Sequence, residues 1–171
     1  MWRKITSRSQ LLWLVPVLAA VHNMEEAVAF PRYLPLVLER VPQAWRAIAG
    51  PITLGQVWAA LGLVTLIPFA LAIWTALRPE LVAPVWLLLL IQATLLLNVL
   101  WHVGAATVLF DGYAPGLVTA VLVNLPFSIY LIWRAAKENW LSPRARWALL
   151  PSAVVVHGPV ISALLLLTER L

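Results

Sequence analysis

The stretch His22-Asn23-Met24-Glu25-Glu26 places an imidazole and two carboxylates within five residues. At about 100° per residue of helix, Glu25 falls about 60° to one side of His22 and Glu26 about 40° to the other, so all three project from one face over two turns. A second set, Thr94, Asn98 and His102, recurs at four-residue spacing in TLLLNVLWH, and the last histidine, His157, precedes Gly158-Pro159 in VVVHGPV. Neutral imidazoles and carboxylates are ligands for Zn, Fe or Mn, which makes His22, Glu25, Glu26, His102 and His157 candidate metal ligands. A glutamate left outside the coordination sphere is a candidate general base toward water activated by the metal, and Asn98 a candidate for orienting a ligand or stabilising an oxyanion. Without a metal, the same residues suit glutamate–histidine acid–base chemistry. The spacing is not His-Glu-x-x-His and matches no established zinc motif.

These residues must be positioned by apolar elements. The chain has 171 residues, is 63% hydrophobic and only 11% charged, more apolar than a soluble core of this size can bury. Crossing a bilayer core takes about 20 helical residues. The apolar runs at 9–30, 52–77, 82–110, 115–137 and 145–168 all meet that length. The expected fold is therefore all-α, a polytopic bundle of five spanning helices forming a single integral membrane domain over residues 1–171. Residues 31–51 mix Leu, Val and Trp45 with Arg32, Glu39, Arg40 and Arg46 and hold Pro31, Pro35, Pro42 and Pro51, a composition suited to a short interfacial segment between the first two helices. Such a segment is an interfacial linker or a lid over an entry for a lipid-like molecule. Pro16, Pro68, Pro126, Pro151 and Pro159 fall inside spans and predict local kinks or widened turns.

Charge distribution sets the expected topology. The net charge is +5, but Lys and Arg gather at span ends rather than along one surface, which argues against nucleic acid as a partner. Arg3, Lys4, Arg8, Arg78, Arg134, Lys137, Arg144 and Arg146 lie on one side, against Arg32, Arg40, Arg46 and Arg170 on the other. The positive-inside rule then makes the N-terminus cytoplasmic and the C-terminus external. Trp74, Trp86, Trp133 and Trp147 sit near the expected cytoplasmic span ends, where indoles anchor helices, and Trp101 is the exception, deep in the third span. A cleaved signal peptide with Leu11 to Val21 as its apolar core is a competing reading of the N-terminus, but it would detach a histidine that fits a wider pattern. The chain has no cysteine, hence no disulfide, thiolate ligand or cysteine nucleophile.

Depth unites the polar residues. At about 1.5 Å of rise per residue, His22 and His102 lie about 12 Å from the external ends of their spans and His157 about 16 Å, with Thr119 and Asn124 within about 6 and 14 Å. All fall in the external half of the bilayer. A charge at the bilayer centre costs about 2.5–3.5 kcal/mol on insertion scales, so glutamates kept beside three histidines argue for a shared, partly hydrated pocket.

Three motifs in order, His22-Asn23-Met24-Glu25-Glu26, Asn98-Val99-Leu100-Trp101-His102 and Pro115-Gly116-Leu117-Val118-Thr119, resemble those of the HXXEE family of small prokaryotic membrane proteins. The resemblance implies that His22, Glu25, Glu26, Asn98, His102 and Thr119 matter and that the setting is a prokaryotic plasma membrane. It implies no assigned reaction. His157 stands outside these motifs and rests on depth alone.

The expected function is an integral membrane enzyme with Glu25, Glu26, Asn98 and Thr119 as catalytic candidates, acting by hydrolysis or acid–base chemistry on a lipid-like or other hydrophobic substrate. Its expected partners are membrane lipids and a hydrophobic small molecule, and its expected cofactor is a divalent Zn, Fe or Mn ion. A structural or accessory membrane protein is the alternative, as is a proton or metal-ion transporter built on the same His/Glu cluster. Little polarity continues toward the cytoplasmic face through Leu87 to Ile91 or Ile129 to Ile132, which suits a one-sided pocket better than a pore.

Overall fold

The computed structural model describes residues 7–40 and 52–167, which are all-helical with no strand among them. Among the described residues five helices follow in order: α1 (Arg8–Arg40), α2 (Leu54–Leu77), α3 (Val82–Val108), α4 (Leu117–Lys137) and α5, which runs Pro143–Val155 and continues through Val156–Val160 into Ile161–Leu167. Each contains a stretch long and apolar enough to cross a membrane, as the hydropathy pattern predicts.

The first boundary differs from expectation. Pro31 and Pro35 suggest that the helix stops at residue 30, yet α1 continues for 33 residues to Arg40. Proline at position 31 removes the N–H that would bond the Ala27 carbonyl. Trp58 of α2 replaces that donor, its indole Nε1 donating to Ala27 O at 3.1 Å. At about 1.5 Å per residue, α1 is about 50 Å long and outruns a bilayer core of about 30 Å. The expected interfacial segment at 31–51 is thus helical in its first ten residues, and residues 41–51 lie outside the described ones.

Local signals explain the other ends. Thr53 caps α2 by accepting from Gln56 N, while the Gln56 side chain accepts from Thr53 N at 2.6 Å, a reciprocal capping box. Ser142 caps α5 through Ala145 N. Two π-turns interrupt the ladder, at Ala120–Asn124 in α4 and Val156–Val160 in α5. The first stands directly before Leu125-Pro126 and the second contains Pro159, whereas Pro16, Pro68 and Pro151 lie in uninterrupted α-helix, so widened turns accompany two of the five expected prolines.

α3 is the central helix and packs on all four others. Around it Leu11, Leu12 and Val15 of α1, Ala72 of α2, Leu131 and Ala135 of α4, and Leu149 and Ala153 of α5 close on Val85, Leu88 and Leu89. This apolar core fills the bundle half containing the N-termini of α1, α3 and α5. The polar residues singled out above occupy the other half, toward the α3–α4 connection.

Candidate functional site

The site is built around the start of α4. Gly116 is the residue before the helix and adopts φ +85°, a left-handed conformation that favours glycine. A Cβ there would lie 2.8 Å from His22 Cε1, His102 Cε1 and Glu26 Cγ. The Pro-Gly pair therefore lets the backbone lie directly against three functional side chains. Because Gly116 has no capping side chain, the first N–H groups of α4 need an acceptor from elsewhere. Glu25 of α1 supplies it: Oε1 accepts from Val118 N at 3.1 Å, and Oε2 accepts from Thr119 N at 2.7 Å and Thr119 Oγ1 at 2.6 Å. A carboxylate suits this place, since helix N-termini carry partial positive charge. Tyr113, in the connection before α4, also donates its hydroxyl to Glu25 Oε1 at 2.8 Å. Burial, then this bond and the nearby charge, push the Tyr113 phenol up to about 12, so it remains the donor.

The capping bond decides the state of His22. Thr119 has one hydroxyl proton and gives it to the Glu25 carboxylate, so its oxygen must accept from His22 Nδ1, 2.8 Å away. A neutral His22 protonated at Nδ1 presents a lone pair at Nε2. Asn98 Nδ2 lies 3.0 Å from that atom and 2.8 Å from His102 Nε2, and its two hydrogens match two such lone pairs. Asn98 Oδ1 in turn accepts from His157 Nε2 at 2.9 Å. The chain Glu25, Thr119, His22, Asn98, His102 and His157 thus has a consistent donor and acceptor at every link.

Glu26 completes the group from the other side. Its Oε1 lies 3.2 Å from His102 Nε2 and 3.8 Å from His22 Nε2. One ligand atom from each of His22, Glu26 and His102 falls within 4.8 Å of the others. The imidazoles meet edge to face, with ring centroids 4.9 Å apart. His22 is fully buried, whereas Glu26 keeps 15% of its side chain exposed, so the group opens on the Glu26 side. Two imidazoles and one carboxylate drawn together in this way make a donor set that fits a divalent metal.

The structure brings His22, Glu26, Asn98, His102, His157 and Thr119 into one network and divides the two glutamates between tasks. Glu25 is turned to the α4 terminus and is not part of the group that could hold a metal. Thr94, on the same stripe as Asn98, bonds the Leu90 carbonyl within its own helix. Asn124 lies apart, fully buried. Trp101, for all its depth in the sequence, is 58% exposed on the outer face of α3. Tyr113, Gly116 and the Val118 amide are participants that residue type and helical spacing do not reveal. The Pro-Gly pair is the signal that points to them.

"Uncharacterized protein YrkK" of Bacillus subtilis (strain 168) is 25% identical over 145 residues, covering 85% of this chain and 84% of that protein. No solved structure matches significantly. The model of the family described as "Protein of unknown function with HXXEE motif" matches residues 13–131, a span that includes Glu25's cap on α4 and the His22–Glu26–His102 group. The chain belongs to the HXXEE family.

Proposed function

We propose that this protein is an integral membrane enzyme whose His22, Glu26 and His102 hold a divalent cation, Zn, Fe or Mn, and whose substrate is a hydrophobic, lipid-like molecule. The observation that carries this reading is the convergence of two imidazole Nε2 atoms and one carboxylate oxygen within 4.8 Å. Two histidines and one carboxylate form the ligand set of hydrolytic zinc sites and of non-haem iron sites, both of which leave positions open for reactants. A cation held there polarises a carbonyl or phosphoryl oxygen and lowers the pKa of coordinated water toward about 7.

The protein's own groups then have separate tasks. Thr119, fixed by Glu25, holds His22 in the tautomer whose Nε2 is free to ligate. The lone pairs that now accept from Asn98 cannot both accept and ligate. With those lone pairs turned to a cation, the Asn98 amide, tied to His157 through its Oδ1, would be a donor for substrate oxygen. Glu26 Oε2, outside the 3.2 and 3.8 Å contacts, is placed to move a proton. Support for an apolar substrate comes from the aromatic rim, where Tyr33 packs against Phe110 and Tyr113 at centroid distances of 5.5 and 5.6 Å. With the N-terminus cytoplasmic, this rim lies on the external side of a prokaryotic plasma membrane.

Transport is the weaker reading because Val15, Val85, Leu88, Leu89 and Leu131, all fully buried, close the opposite half of the bundle. The test is titration of metal-stripped protein in detergent with Zn²⁺, Mn²⁺ and Fe²⁺ while following thermal unfolding, combined with mass spectrometry of co-purified lipids. Specific binding raises Tm with ion concentration by mass action. If none of the ions changes Tm, the network is a structural tie between helices.

A further inference from the structure

A second polar group lies deeper in the bundle than the His/Glu centre. Gln92 of α3 is fully buried and its Nε2 donates to Ser128 Oγ of α4 at 2.6 Å. One turn earlier on α4, Asn124 is also fully buried. Among the described residues neither its Nδ2 nor its Oδ1 has a hydrogen-bond partner, and Gln92 Oε1 has none either.

The π-turn explains why Asn124 points inward. In an uninterrupted α-helix, residues five apart lie about 140° from one another. The turn over Ala120–Asn124 accommodates one extra residue, which brings Asn124 to within about 40° of Thr119, where an i+4 residue would stand. Ser128 follows four residues later. Thr119, Asn124 and Ser128 therefore form one stripe on α4, starting at the Thr119–His22 bond to α1 and ending at the Ser128–Gln92 bond to α3.

An unsatisfied buried polar atom costs about 1–3 kcal/mol, so these three, linked through Ser128 and Gln92, call for a partner. A buried water needs 2–4 polar partners. The Asn124 amide, the Asn124 carbonyl and the Gln92 carbonyl supply a donor and two acceptors. We propose that Asn124 and Gln92 hold ordered internal water, the middle station of a polar column that runs from the His22–Thr119 pair to Ser128. Beyond Ser128 the column meets Leu131, Leu88 and Val85, all fully buried. Apolar side chains thus close its far end, so it is not a channel. This assignment stands whether or not the His/Glu centre binds a metal.

Water-edited solid-state NMR on the full chain in lipid bilayers, with ¹⁵N-labelled Asn and Gln side chains, tests the proposal. The expected result is polarisation transfer from water to the Asn124 and Gln92 amides, with the Gln92 signal reduced at least several-fold in Asn124→Leu. Absence of transfer to Asn124 in the wild type overturns it. A Tm several degrees higher in Asn124→Leu also overturns it, since that is the response when a dry, unpartnered carboxamide is removed.

Discussion

Glu25 and Glu26, consecutive in α1, serve opposite parts of the same site: Glu25 takes the first N–H groups of α4, while Glu26 faces the Nε2 atoms of His22 and His102. One carboxylate holds the scaffold and the other belongs to the group that could hold a metal. Substitutions at the two positions should therefore separate stability from ion binding. Glu25→Gln puts an amide donor or a weaker acceptor against Thr119 N and Oγ1, and should cost about 1–3 kcal/mol. Glu26→Gln should leave unfolding within about 0.5 kcal/mol in the absence of metal and abolish ion binding. Thermal unfolding and metal titration of both variants check this pair of outcomes.

Gly116→Ala tests the close approach of the α4 entry to the site. The left-handed backbone costs an alanine about 1–2 kcal/mol, and the added methyl, 2.8 Å from the two imidazoles and Glu26, adds an overpacking cost of about 1–3 kcal/mol. The expected outcome is a clear fall in Tm together with weakened metal binding, because the methyl displaces the ligand side chains. Gly104→Ala, inside α3 where nothing lies within 4 Å of the added Cβ, is the control and should hold or raise Tm through helix propensity without changing metal binding.

Thr119 should act through the ligand it orients, His22, whose Nδ1 it holds. Removing a group that fixes metal ligands lowers metal affinity by about 10–100-fold in characterised sites. Thr119→Val is expected in that range, whereas Asn98→Ala, which removes a competitor for the Nε2 lone pairs of His22 and His102, should not weaken binding. Calorimetric or competition titrations read both.

Tyr113 gives a prediction in pH. Its phenol is held at about 12 in the folded protein, first by burial and then by its bond to Glu25, against 10.0 when free. A group with a raised pKa contributes stability that is fully present below the free value and is lost as pH rises to the folded one. The Tyr113 contribution should thus be intact below pH 10.0 and disappear toward about 12. Tyrosinate difference spectra of wild type against Tyr113→Phe should show the missing titration near that upper value.

Much of this is legible in the sequence, and the exceptions have physical causes. Five apolar runs predict five helices because the length needed to cross a bilayer is set by helical rise. The end of the first helix is misplaced because Pro31 signals a stop, whereas the Trp58 indole, 27 residues later in the chain, replaces the missing donor to Ala27. Helical spacing brings His22, Asn98 and His102 to a common level, but it cannot divide Glu25 from Glu26. Both lie within about 60° of His22, and only the position of the α4 terminus decides which one becomes its cap. Asn124 is assigned by depth to the same polar layer as the histidines. It stands apart because burial and the π-turn, invisible in a residue count, direct it toward Gln92 and Ser128.

Elemental analysis of purified protein after metal loading and removal of free ion is the most direct test of the His22–Glu26–His102 assignment. The account predicts about one equivalent of divalent metal per chain in the wild type and in Glu25→Gln, and its loss in His22→Ala, Glu26→Gln and His102→Ala with folding retained. Equal metal content in all five proteins, or none in the wild type, would contradict it.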